Sequence, residues 1–238
     1  MSRREWNRTA DEFEESVCDI AAEETNNQLQ RFVSAAHPSP QQSVLVDLGC
    51  GKGSFVQKFG RRFHDVIAVD FSSRIVARAR EAYTGTSPVR WMVADVGHCP
   101  KLLGQCADLT VCLNVITSAS AARRKSLWAS VKAVTKLGGH MLVVVPSLES
   151  SQMVAQFSNP RGARSTAAAT RDGIVDRSGN RQKHYGRDEL ASIIAGLGFT
   201  VVSLGRVSYP WSTEGLRKPR SAIASPFDWI CLAQRTAA

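Results

Sequence analysis

Asp47-Leu48-Gly49-Cys50-Gly51-Lys52-Gly53 is where residue type and spacing first suggest chemistry. Glycines at every second position let backbone N–H groups approach a ligand closely, and the acid two residues before the first can meet a cation or a donor. An apolar run from Val44 leads into this turn and a helical pattern follows from Phe55. Strand, glycine turn and helix open a nucleotide-binding α/β unit. A dinucleotide fingerprint, G-x-G-x-x-G, would need its third glycine at 54, where Ser54 stands. Three more polar residues recur where apolar runs stop: Asp70, Asp95 and Asn114. Asp70 follows Gly49 by 21 residues, the distance at which such folds set a carboxylate on ribose hydroxyls.

The elements that must position these residues follow from periodicity. Buried strands are expected at 44–48, 65–70, 89–95, 107–116 and 140–146, with helices near 54–61, 73–83 and 121–136 between them. Gly138-Gly139 is expected to close the last of these helices. Strands alternating with helices give a parallel sheet covered on both faces, with right-handed crossovers. Its ligand lies outside the carboxyl ends of the strands, where Asp47, Asp70, Asp95 and Asn114 all fall. A helix opening at Arg187-Asp188-Glu189, a strand from Phe199 and a last strand from Phe227 complete the series. Residues 1–40 read as an N-terminal helical arm or lid, with Phe13, Val17, Ile20 and Ala21, then Leu29, Phe32, Val33 and Ala36, at helical spacing. Residues 147–184 lack sustained periodicity beyond a helical turn at 148–157 (Leu148, Met153, Val154, Phe157) and read as a basic loop insertion within a domain spanning 41–238.

The D-x-G-x-G-x-G turn, the strand-end acids and the late His184-Tyr185-Gly186-Arg187-Asp188-Glu189-Leu190 unit together resemble the class I S-adenosylmethionine (SAM) dependent methyltransferases. The resemblance covers about residues 40–235. It implies a Rossmann-like, doubly wound, mostly parallel seven-stranded sheet of order 3-2-1-4-5-7-6 with the last strand antiparallel. It also implies SAM as cofactor, with Asp47 near the methionine ammonium and Asp95 at the adenine amino group. The full implied cofactor set is Asp47, Gly49, Cys50, Gly51, Gly53, Asp70, Phe71, Asp95, Val96 and Asn114. Asn114-Val115-Ile116-Thr117-Ser118 lacks both the Asn-Pro-Pro-aromatic motif of amino-directed nucleic-acid enzymes and the Pro-Cys nucleophile of cytosine-C5 enzymes.

Composition bounds the remainder. The chain has 238 residues, 43% hydrophobic and 21% charged, as expected of one large globular domain. No apolar run reaches the roughly 18 residues of a membrane span, and the N-terminus lacks a signal core, so a cytoplasmic protein with no membrane partner is expected. Cysteines at 18, 50, 99, 106, 112 and 231 form no C-x-x-C pair, so reduced core thiols and no metal are expected. The net charge of +9 raises nucleic acid as a partner. Residues 161–187 hold seven Lys/Arg against two Asp, supplying +5 of it, yet Tyr185 is the segment's one aromatic. A single-strand binder would interleave more stacking residues, so a solvated connection is the preferred reading.

Methyl transfer from a sulfonium needs alignment and water exclusion more than a nucleophilic residue. The expected reaction is transfer to an O or N atom of a small-molecule metabolite or secondary product. The residues put forward are His184 and Tyr185 as catalytic, and Glu149, Tyr209 and Trp211 as substrate contacts. The alternatives are an RNA or protein methyltransferase using the 161–187 segment, or a non-catalytic SAM-binding or partner-binding protein.

Overall fold

The apolar runs become strands because β-branched and leucine side chains alternate between two helix-covered faces. The computed structural model describes residues 19–158, 170–177 and 180–236. Phe13, Val17 and Cys18 therefore lie outside the described residues. Strands β1 (Val44–Leu48), β2 (Asp65–Asp70), β3 (Val89–Val93), β4 (Ala107–Leu113) and β5 (Thr135–Pro146) run parallel. Beyond them a hairpin, β6 (Ile174–Arg177) and β7 (Asn180–Lys183), forms its own two-stranded sheet. The main sheet closes with β8 (Phe199–Ser208) and β9 (Phe227–Arg235), in the order β3-β2-β1-β4-β5-β9-β8. β9 is antiparallel to both neighbours. With the hairpin set aside, this is the expected order, 3-2-1-4-5-7-6.

The helices are α1 (Ile20–Glu23), α2 (Gln28–Ala35), α3 (Ser54–Phe59), α4 (Ser73–Ala82), α5 (Cys99–Leu103), α6 (Ala121–Val134), α7 (Leu148–Ser158) and α8 (Arg187–Gly196). Alternation divides the core. Val46, Leu48, Ile67, Val69, Val143 and Trp229 pack against Leu127, Trp128 and Val131 of α6 and Leu190 and Ile194 of α8. Leu45, Val66, Ala68, Val111, Val144 and Ile230 pack against Ile20 of α1, Leu29 and Phe32 of α2, and Phe55 and Phe59 of α3. The described part of the arm thus belongs to one core layer. It is also tied to the edge strand, since Thr25 N–H donates to Ser208 O at 2.8 Å and Asn26 Nδ2 donates to Arg206 O at 2.9 Å.

Two expectations change. The chain leaves α6 straight into β5 at Thr135, whose Oγ1 lies 2.7 Å from Val131 O, so a hydroxyl satisfies the helix end. Gly138 and Gly139 consequently fall inside β5 rather than closing the helix. In the 147–184 stretch the described residues form α7, over the helical turn expected at 148–157, and the β6–β7 hairpin, which the sequence reading did not include. Two four-residue strands, one of them the wholly polar Asn180-Arg181-Gln182-Lys183, are too short and too polar to show apolar alternation, which is why periodicity missed them. Among the described residues no helix is long and apolar enough to cross a membrane.

Candidate active site

The parallel strands end on one side of the sheet, and there a cavity of about 430 Å³ opens. β1 delivers Asp47 and the turn at Gly49–Gly53. Gly49 and Cys50 N–H both donate to Val69 O, at 2.7 and 2.9 Å, which hooks the turn over the end of β2. Gly49 has φ +83, and a Cβ there would run into the Val115 side chain. Only glycine serves at that point. Gly53, at φ +80, caps α3, and a Cβ there would lie 2.8 Å from the Trp91 ring. Its requirement comes from packing of the helix onto β3.

Asp70 is braced at both oxygens, by Gly51 N–H at 3.3 Å and Ser72 N–H at 2.9 Å. Burial raises its pKa, and the Ser72, Gly51 and Phe71 N–H groups partly offset the rise. Asp47 is only 2% exposed, and its Oδ2 lacks a partner among the described residues. Burial first, then the neighbouring Asp70 and Asp19, push its pKa up to about 8. Asp19 caps α1 and accepts from Ser54 Oγ at 2.5 Å, which ties the arm to the glycine turn. Three carboxylates thus converge on one end of the cavity.

The opposite end is built by Thr117, Ser118, Ala119 and Ser120 after β4, Arg123 of α6, and Asn180, Arg181 and Gln182 of β7. The hairpin is fixed there: Lys183 N–H donates to Thr117 O at 2.8 Å, and Ser118 pairs with Gln182. Beside this wall Arg123 Nη2 lies 2.8 Å from both Asp95 oxygens. Despite partial burial, the Asp95 pKa is lowered by Arg123 and by the Gly97 N–H.

Of the residues singled out in the sequence, Asp47, Gly49, Cys50, Gly51, Asp70, Phe71, Val96 and Asn114 line this cavity. Asp95 stands behind Arg123 rather than on the lining, and Gly53 faces Trp91. None of the residues put forward as catalytic or substrate-binding, His184, Tyr185, Glu149, Tyr209 and Trp211, is among those lining this cavity. Tyr185 is 1% exposed, donates its hydroxyl to Ile116 O at 2.7 Å and packs edge-on against Trp128. Burial also raises its pKa, so it is a core residue. His184 is buried with Nδ1 3.3 Å from Ser147 O. Glu149 accepts from Arg187 N–H, Trp229 Nε1 and Ser147 Oγ, which fixes it as a bracket between α8 and β9. Tyr209 donates to Glu214 at 2.9 Å, and Trp211 is buried against Phe157.

Sequence reading missed Asp19, Lys52, Ser54, the Thr117–Ser120 stretch, Arg123 and the hairpin residues. Asp19 had a signal, an acid directly before a helical run. The hairpin side chains had none, because their place depends on a chain return.

The seven-stranded sheet with its last strand antiparallel is a Rossmann-like methyltransferase fold. Residues 45–139 match the family described as a methyltransferase domain. Uncharacterized methyltransferases of Mycobacterium bovis and Mycobacterium tuberculosis are 35% identical over 65 residues, 27% of this chain and 32% of theirs. The match thus spans about a third of those relatives. Among solved structures, the Burkholderia thailandensis 1,6-didemethyltoxoflavin-N1-methyltransferase, with its acceptor and S-adenosylhomocysteine bound, aligns at TM-score 0.66 and 16% identity over 99% of this chain and 87% of that one. The magnesium protoporphyrin IX methyltransferase of Synechocystis, with bound S-adenosylhomocysteine, aligns at TM-score 0.57 and 14% identity over 92% and 88%.

Proposed function

We propose that this chain is a SAM-dependent methyltransferase acting on an O or N atom of a small molecule. One observation carries the reading: a strand-end cavity with three converging carboxyl groups, one of which, Asp47, keeps a buried oxygen without a partner among the described residues. Buried polar atoms are rarely left so unless a ligand completes them. SAM fits, because it brings an ammonium and a sulfonium to that end and supplies an electrophilic methyl group when bound. Asp47 and Asp19 would hold the ammonium, and Asp70 the ribose hydroxyls. Phe71, Ile75 and Val96 offer apolar walls to the base.

The protein's part in the chemistry is alignment and water exclusion. Thr117, Ser118, Ser120, Asn180 and Gln182 can orient an acceptor by hydrogen bonds across the cavity from the carboxylates. The size of the cavity and the small acceptor bound to the Burkholderia neighbour support a small-molecule substrate. Weaker support attaches to an RNA or protein acceptor. Within the basic segment, Lys183 is buried in an ion pair with Glu189, and Arg187 lies 3.8 Å from Asp188. Calorimetric titration with SAM, S-adenosylhomocysteine and NAD tests the reading. Micromolar binding of the first two and none of NAD is expected; NAD binding alone would overturn the cofactor class.

A further inference from the structure

Across the cavity from the carboxylates, the run that follows β4 has its backbone acceptors engaged. Ile116 O accepts from the Tyr185 hydroxyl at 2.7 Å, and Thr117 O from Lys183 N–H at 2.8 Å. Ser118 O and Ala119 O both accept from Arg124 Nη1, at 2.7 and 2.9 Å, and Ser120 O accepts from Arg124 N–H at 3.1 Å. Each carbonyl from 116 to 120 thus already holds a hydrogen bond from the protein. A ligand at this wall meets hydroxyl, amide and guanidinium groups instead, and no lining residue of the wall is a carboxylate.

Two guanidiniums share the lining, and they differ in charge balance. Arg123 holds both Asp95 oxygens through Nη2, so its charge is offset. Arg181, in β7, makes no hydrogen bond or ion pair among the described residues. Asp176 pairs with it in register across the hairpin, with no ion pair between the two. An exposed arginine is ordinary in itself. What sets Arg181 apart is its place in the lining of a cavity, on a wall whose carbonyls are spent. The first turn of α6, which opens after Ser120, adds a dipole of the same sign.

Resting on the cofactor reading above, we propose that the methyl acceptor is an anion. It is a small molecule whose carboxylate or phosphate is held at this wall, with Arg181 as counter-charge and Arg123, Ser118 and Ser120 as further donors. A guanidinium matches either oxyanion through two parallel N–H bonds. The acidic end of the cavity repels such a group, so the acceptor enters in one orientation.

The test compares ligands that share a ring and differ in charge: benzoate, phenyl phosphate and neutral benzamide. Each is titrated by calorimetry into the full chain saturated with S-adenosylhomocysteine, for the wild type and for Arg181→Gln, Arg181→Lys and Arg61→Gln, with folding checked by thermal melting. At least one anion is expected to bind about fivefold or more tighter than benzamide. Whichever anion binds tighter identifies the oxyanion as carboxylate or phosphate. Arg181→Gln is expected to abolish the preference and Arg181→Lys to keep part of it, while the affinity for S-adenosylhomocysteine stays within about twofold of wild type. Arg61→Gln removes an exposed charge outside the cavity and is expected to leave the preference intact. Three results overturn the inference alone: anions that bind no better than benzamide, a preference that survives Arg181→Gln, or an equal loss in Arg61→Gln. Failure of the wild-type chain to bind S-adenosylhomocysteine overturns the cofactor reading and the inference with it.

Discussion

At the residue scale, Asp47 joins the glycine turn to the chemistry proposed for the site. Its pKa of about 8 arises from burial, reinforced by Asp70 and Asp19, so the unliganded protein holds this carboxyl mainly protonated at neutral pH. The sign follows. A carboxyl whose folded pKa is raised above its unfolded value stabilises the fold through its proton at low pH, and that contribution drains away as pH rises from about 4 to about 8. An arriving cation lowers the pKa and expels the proton. SAM affinity is therefore expected to rise with pH up to about 8, by at most about tenfold per unit, and then to level off. Calorimetry in buffers of different ionisation heat would read the proton released, and Asp47→Asn should flatten the dependence. Asp47, Gly49, Asp70 and Asn114 were legible because each ends an apolar run, and a parallel sheet fixes where such ends point. Asp228, which accepts from Asn114 Nδ2 at 2.8 Å, was not legible. It sits near the start of a strand, and only the antiparallel direction of β9 carries it to the ligand side.

At the element scale, the β6–β7 hairpin separates a glycine-turn fold from a walled cavity. Its trailing end is clamped by Lys183, 3% exposed, whose Nζ meets Glu189 Oε1 at 2.6 Å and Asp172 O at 2.7 Å. Glu189→Ala removes the carboxylate and strands the ammonium beneath the hairpin. The Glu189 side chain is 43% exposed, so the expected loss, about 1–3 kcal/mol, lies below that of a fully buried pair. Urea denaturation should read that loss, and trypsin should cut faster at Arg181, with Glu189→Gln intermediate in both. The same clamp leads directly into His184 and Tyr185, both of them buried. Tyr185 N–H donates to Pro146 O and Leu148 N–H to Tyr185 O, which lays this segment along the end of β5 and turns the tyrosine into the core.

At the scale of the whole molecule, both layers of the core and the cavity share one seven-stranded sheet, so a ligand at the strand ends should stabilise the entire fold. S-adenosylhomocysteine at a hundred times its Kd should contribute about 2.7 kcal/mol, which for a chain of this size is about 5–10 °C in Tm. NAD at equal concentration should leave Tm unchanged. Differential scanning fluorimetry reads both, and no shift with S-adenosylhomocysteine would contradict the placement of the ligand.

The sequence by itself determined the strand–helix alternation, the glycine turn and the strand-end acids, because hydrophobic period and glycine spacing are local quantities. The antiparallel order of the last strands was implied by resemblance, not by period. Only the tertiary structure decided which residues face one another across the cavity. Asp19 from the arm, the Thr117–Ser120 stretch, Arg123 and the hairpin come from segments distant in the chain. Arg123 against Asp95 and Asn114 against Asp228 are contacts between distant segments that no local pattern encodes. Aromatic Trp211 and Tyr209 drew the eye toward substrate chemistry in the sequence, yet burial of large apolar surface is a stronger force on such side chains, and the fold spends them on the core.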